Sequence, residues 1–144
     1  MKFVTREHIG VDRVAVPWLI RKFVEAKAEF IFVPDSQVLE VAKREGAISF
    51  DMHGKGDIDH KDNKCSFEAA VVRYGITDPA VLELAKIVHA TDITTDRNTA
   101  PEAAGLMAIT QGFGQIYADD NDRLTNQFPI YDALYAYCKS NLGK

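Results

Sequence analysis

The segment from Asp12 to Val24 limits the fold more than any other stretch of this chain. Val14, Trp18 and Phe23, together with Val11, Leu19 and Ile20, spread apolar side chains over more than one face of a helix. A helix of that kind has to be wrapped by the rest of the molecule. With 144 residues there is enough chain to do so, since folding at this size buries roughly two thirds of the unfolded surface. Pro17 interrupts the pattern and removes an amide donor, so the helix is expected to begin near it, with Pro17 in the first turn.

The remaining punctuation gives an α+β protein: five or six helices and a small sheet contributed by the first half, in one domain over residues 1–144. Glu29–Val33 is a short aromatic and β-branched run ended by Pro34 and reads as a strand. Asp35 suits an N-cap for a helix carrying Val38, Leu39 and Ala42 and stopped by Gly46. Ala47–Phe50 is a second short strand. From Asp51 to Lys64 the chain is polar, with Gly54 and Gly56 among His, Asp and Lys residues, which predicts a loop or hairpin with a strand near Ile58. Helices follow over Cys65–Tyr74, from Asp78-Pro79, and from Thr99-Ala100-Pro101-Glu102, which has the form of a capping box. The region Asp119–Ser140 is expected to break at Pro129. Gly105, Gly112 and Gly114 lie in a helical pattern where close packing is expected, and do not form a phosphate-binding fingerprint.

Composition excludes several classes. The formal charge is −4, with 47% hydrophobic and 26% charged residues, the mixture of an ordinary globular domain. That balance does not favour a nucleic-acid module relying on an overall basic surface. The first residues carry no apolar run behind Lys2, and nothing approaches the roughly 20 apolar residues of a membrane-spanning helix. Two cysteines, Cys65 and Cys138, match neither a zinc ribbon nor a secreted disulfide framework, which points to the cytoplasm.

Polar groups where burial is expected carry the chemistry, because burial without a partner is expensive. Glu68 lies in the apolar run Phe67–Val72, and Cys65 precedes it by three residues on the same helical face. His60 comes five residues earlier. Imidazole, thiolate and carboxylate are all transition-metal donors, although a loop histidine, an inert buried thiol and a first-turn glutamate would look the same. His89 and Asp92, three apart on a helix, can pair so that the acid orients the ring or adds a ligand; a histidine near a helix C-terminus is the simpler account. Asp12, Arg13 and Arg21 offer two guanidinium groups about two helical turns apart, suited to a tetrahedral oxyanion or to surface ion pairs. Glu102 is explained by its cap, and Asp119-Asp120-Asn121-Asp122 as acids opening a helix rather than a calcium loop. Asp132 is expected to meet a tyrosine hydroxyl or Arg13, and Cys138 to pack in the final aromatic helix.

Five blocks occur in order: Asp12 to Phe23, His60 with Cys65-Ser66-Phe67-Glu68, Pro101 to Leu106, Ala118-Asp119-Asp120, and Tyr131 to Ala136. Together they resemble the chromate-resistance family of the ChrB type, specifically its C-terminal domain, over nearly the whole chain. The resemblance implies association with chromate resistance and a stress response. Longer members act as chromate-responsive regulators, and others occur with sulfur-transfer domains. Without an additional N-terminal region, a nucleic-acid partner is not expected here.

These readings combine into a small cytoplasmic metal-binding domain. His60, Glu68 and His89 are the leading ligands, with Cys65 as a fourth and Asp92 as an orienting partner; the mixed donors suit zinc or iron. A second hypothesis is a non-catalytic chromate or sulfate sensor that clamps the oxyanion with Arg13, Arg21 and Asp12. A third is thiol redox or sulfur-transfer catalysis at Cys65. Whether the chain is an enzyme, and whether it self-associates, the sequence leaves open.

Overall fold

A computed structural model describes residues 1–143. The protein is α+β and mostly helical. Its sheet has three parallel strands, β1 (Lys2–Arg6), β2 (Glu29–Val33) and β3 (Ile48–Ser49), in the order β2-β1-β3. The central strand, β1, has no counterpart in the sequence reading. It is only five residues long and two of its apolar side chains are adjacent, so it carries no length of alternation to recognise. Pairing makes it a strand, with Phe3 opposite Phe30 of β2 and Ile48 of β3.

Alternation along β1 sends its neighbours to opposite faces. Phe3 enters the main core with Phe30, Phe50 and helix α1 (Val11–Phe23). Val4 enters a smaller core under α2 (Val38–Glu45), with Val38, Val41 and Met52. α1 is then enclosed by α3 (Ser66–Arg73), α4 (Pro79–Asp92) and α6 (Asp120–Asn141), while α5 (Ala103–Ile116) packs on α4.

Pro17 does not start α1; the helix runs through it from Val11. A proline inside a helix costs about 3 kcal/mol. Val14, Val16, Trp18, Leu19 and Ile20 are each 1% exposed or less, and each contributes roughly 1.5–3 kcal/mol on burial, so packing outweighs the missing amide. The same holds at Pro129, where α6 continues unbroken with Leu124, Tyr131 and Cys138 buried.

Other local expectations divide. Gly46 closes α2 at φ 63°, and Asp78 caps α4 by accepting from Ala80 N, with Pro79 in the first turn. Asp119 opens α6 by accepting from Asn121 N and Asp122 N. Asp35 caps nothing; it begins a 3-10 turn (Asp35–Gln37), and its carboxylate lies 2.8 Å from His53 Nε2. Thr99 and Glu102 do not form a capping box. The Thr99 hydroxyl donates to Asp96 O and Glu102 accepts from Tyr137, because residues 94–99 form a separate 3-10 segment and α5 starts only at Ala103. The α5 glycines are not close-packed either, since a Cβ at Gly105, Gly112 or Gly114 would meet nothing within 4 Å.

Candidate functional site

Two histidine–carboxylate clusters flank the first turn of α3, and the expected ligands are divided between them. The first is centred on His60, at the end of the polar loop. Asp57 holds that loop to β3 by accepting from the Ser49 amide and hydroxyl. Asp59 gathers it further, accepting from Met52 N, Gly56 N and His60 N. Gly56 is required there, because a Cβ would come within 2.9 Å of Asp59 Oδ2. The loop thus delivers His60 Nε2 to within 3.2 Å of Asp12 Oδ2 on α1, 3.2 Å of Asp51 Oδ1, and 3.1 Å of Asp92 Oδ2 on α4.

Asp12 is 1% exposed and accepts from the Ser66 and Phe67 amides, so it also caps α3. Asp51 stands at φ 54°, a conformation costly for a residue with a side chain. It accepts from the Ser66 hydroxyl and lies 3.4 Å from Arg6 and 3.2 Å from Arg13. Burial raises the pKa of Asp12, against the hydrogen bond from His60. Burial, with the charges of Asp12 and Asp51, pushes Asp92 up to about 7. Asp12 and Asp51 in turn push His60 up to about 10. This cluster borders a cleft of about 490 Å³ lined by Arg6, Arg13 and, from α5, Met107, Thr110 and Gln111.

The second cluster comprises Cys65, Glu68 and His89, each offering a ligand atom within 4.8 Å of the others. Cys65 is the N-cap of α3. Its sulfur accepts from the Glu68 amide while Glu68 Oε1 accepts from the Cys65 amide at 2.9 Å, a capping box built with a thiol. His89 Nδ1 lies 2.5 Å from Glu68 Oε1, and its Nε2 lies 2.7 Å from Asp96 Oδ2. Asp96 comes from the 3-10 segment after α4, which Arg97 ties back by donating to the Ala90 and Thr91 carbonyls. Burial opposes a charge on His89, but the hydrogen bonds to Asp96 and Glu68 outweigh it and the pKa is raised. Glu68 borders a separate pocket of about 360 Å³ with Lys61, Lys64 and Arg73.

Cys65, Glu68 and His89 are therefore brought together as expected, whereas His60 belongs to the other cluster. Asp92, expected beside His89, faces His60. At helical spacing it shares the surface of α4 with His89, but its carboxylate turns to the cleft, and Asp96 takes the place beside the ring. Asp51 and Asp96 were missed by sequence reasoning. Both lie outside helices, so no periodicity marks them; the density of acids around His53 and His60 was the available signal for Asp51.

Arg13 and Arg21 do not converge. Arg13 donates to the Arg6 and Glu7 carbonyls at one end of α1. Arg21 donates to Ala28 O and stacks 4.9 Å over Phe30 at the other end. The residue that shares Asp51 with Arg13 is Arg6, on the unrecognised strand β1. Asp132 meets Trp18 Nε1 at 2.8 Å and Lys22 Nζ at 2.9 Å, not a tyrosine or Arg13. Cys138 is buried, as expected of packing. The Cys65 side chain is fully enclosed, and burial pushes its thiol up rather than down, which removes the accessible low-pKa sulfur that redox or sulfur-transfer catalysis requires. Among the described residues no helix is long and apolar enough to cross a membrane.

The family profile described as ChrB, C-terminal domain, matches residues 3–138. Protein ChrB of Cupriavidus metallidurans is 29% identical over 140 residues, which are 96% of this chain and 41% of that protein. The chain thus spans about two fifths of that relative's length. No solved structure matches.

Proposed function

This chain belongs to the ChrB C-terminal domain family, and from that premise we propose that it serves chromate resistance by binding a transition metal, zinc or iron, through Cys65, Glu68 and His89. The observation that carries this reading is the carboxylate on the far side of the imidazole. Asp96 holds His89 Nε2 at 2.7 Å, which directs Nδ1 toward Glu68 and Cys65. Histidine ligands of metals almost always donate their other ring nitrogen in this way, which fixes the tautomer and raises basicity. The Glu68 amide at the Cys65 sulfur is suited to a thiolate, so the cap of α3 supports the ligand as well as the helix. Metal entry exchanges the His89–Glu68 hydrogen bond for two coordinate bonds and releases the thiol and imidazolium protons. The pocket beside Glu68 offers a route from solvent.

The oxyanion-clamp reading has less support, since Arg13 and Arg21 hold backbone carbonyls at opposite ends of α1. Metal analysis of protein produced without a polyhistidine tag tests the proposal. About one zinc or iron per chain is expected in the wild type, and none in Glu68→Ala or His89→Ala. A native protein free of metal, or an undiminished metal content in both variants, contradicts it. In a chromate-sensitive host, the wild type is expected to raise the tolerated chromate concentration and His89→Ala to abolish that gain.

A further inference from the structure

The His60 cluster differs from the one just described in its distances. A protonated imidazole hydrogen-bonded to a carboxylate sits about 2.7–2.9 Å from it, and a single N–H can be given to one acceptor at a time. His60 Nε2 instead has three carboxylate oxygens, from three separate parts of the chain, at 3.2, 3.2 and 3.1 Å. Donor atoms around a metal with bonds near 2.1 Å stand about 3.0 Å apart in an octahedron and about 3.4 Å apart in a tetrahedron. The separations to Asp12 and Asp51, whose ligand atoms also lie within 4.8 Å of each other, fall between those two edge lengths.

Two further features accompany this spacing. The loop that carries Asp51 and His60 is tied down by Asp57 and Asp59 and keeps Asp51 at φ 54° while only 5% exposed, so the donors are held before anything binds. Arg13 Nε, which belongs to a residue lining the same cleft, is buried without a hydrogen-bonded partner, although Asp51 Oδ2 lies 3.2 Å away. An N–H left unpaired beside converging carboxylates calls for an additional acceptor, such as water or an oxyanion carried by a cation.

We propose that the cleft holds a divalent cation of the oxygen-preferring class, manganese(II), ligated by Asp12, Asp51 and His60 Nε2, with the Asp92 carboxylate facing His60 beside them. Two carboxylates and one imidazole form a harder donor set than Cys65, Glu68 and His89, and so select a different metal. With the dication in place and His60 neutral, Arg6 and Arg13 leave the site positively charged. That favours an anionic oxygen ligand in the open part of the cleft.

The probe is manganese(II) added to the full chain, with the free ion followed by electron paramagnetic resonance. One ion per chain is expected to bind, with affinity falling at least tenfold in Asp51→Asn and unchanged in Cys65→Ser. His60→Gln, at a side chain 41% exposed, carries the same expectation should Asp51→Asn fail to fold. No binding at millimolar manganese, undiminished binding in Asp51→Asn and His60→Gln, or loss of binding in Cys65→Ser each overturns the proposal. Since the Cys65 cluster is read out separately by zinc or iron content, the two sites stand or fall independently.

Discussion

His60 and His89 are built from similar parts and do different things with them. Both rings are partly buried and both face carboxylates on other elements. His89 has one acid on each nitrogen, at 2.5 and 2.7 Å, so a protonated ring satisfies every contact with its own two N–H groups. His60 has three acids on one nitrogen, all beyond 3.0 Å, and cannot satisfy them alone. A histidine among acids is therefore not one kind of site. The ratio of acceptors to donors, and the spacing between them, separates a cluster that a protonated ring closes until a metal displaces its proton from one whose acids outnumber its donors.

The largest way to break the comparison is to remove the group that the two regions share. Asp12 ligates in the cleft and also accepts from the Ser66 and Phe67 amides that open α3, the helix on which Cys65 and Glu68 stand. Asp12→Ala leaves two buried amides without their acceptor and takes one of three carboxylates from His60, and is expected to lower stability by about 3 kcal/mol, on the order of 10 °C in Tm. Thermal unfolding of the metal-free protein checks this. A Tm within about 2 °C of wild type would mean that the first turn of α3 does not depend on Asp12.

Next in size are the ligands themselves. Glu68→Gln or Cys65→Ser should lower zinc affinity by roughly a hundredfold in a competition assay with a chelating dye, while His60→Gln leaves it unchanged. A smaller loss, about tenfold, is expected for Asp96→Asn, which touches the ring but not the metal. If Asp96→Asn is as severe as Cys65→Ser, Asp96 is itself a ligand and the cluster has been drawn too small.

The smallest effect belongs to an acid outside both clusters. Hydrogen bonds from Trp18 and Lys22 lower the pKa of Asp132 although burial opposes them. A carboxylate whose pKa is lower in the folded state contributes stability above its ordinary value and loses it as the pH falls through the folded one. Asp132→Asn should therefore cost under about 1 kcal/mol at neutral pH, the side chain being nearly half exposed. The difference from wild type should shrink as the pH falls below about 4, be lost below the lowered folded pKa, and not respond to metal. Thermal melts at pH 7 and pH 3 check the sign.

Local chemistry explains which parts of this molecule could be read from its sequence. The buried α1, the strand over Glu29–Val33, the Gly46 stop and the Asp78-Pro79 start depend on neighbours in the chain, and each is where the residues imply. The strand β1 and the continuity of α1 and α6 through proline depend on partners far away, which supply the burial that offsets a weak pattern or a missing amide. The sites divide in the same way. Cys65 and Glu68 share one helical turn and were visible as a pair, and His89 joins them from α4. The wrong partner for His89 came from trusting helical spacing: Asp92 lies three residues on along α4, but Asp96, beyond the helix end, holds the ring. Asp51 had no spacing to announce it at all, because a tied loop puts it beside His60.

Cobalt(II) substitution tests most directly whether the thiol of Cys65 is a metal ligand rather than only a helix cap. Cobalt bound through a thiolate gives an intense sulfur-to-metal charge-transfer band, which carboxylate and imidazole ligands alone do not produce. One equivalent of cobalt is expected to give that band in the wild type and in His60→Gln, and to lose it in Cys65→Ser. A cobalt-loaded wild-type protein without the band, or a Cys65→Ser variant that retains it, would contradict the account.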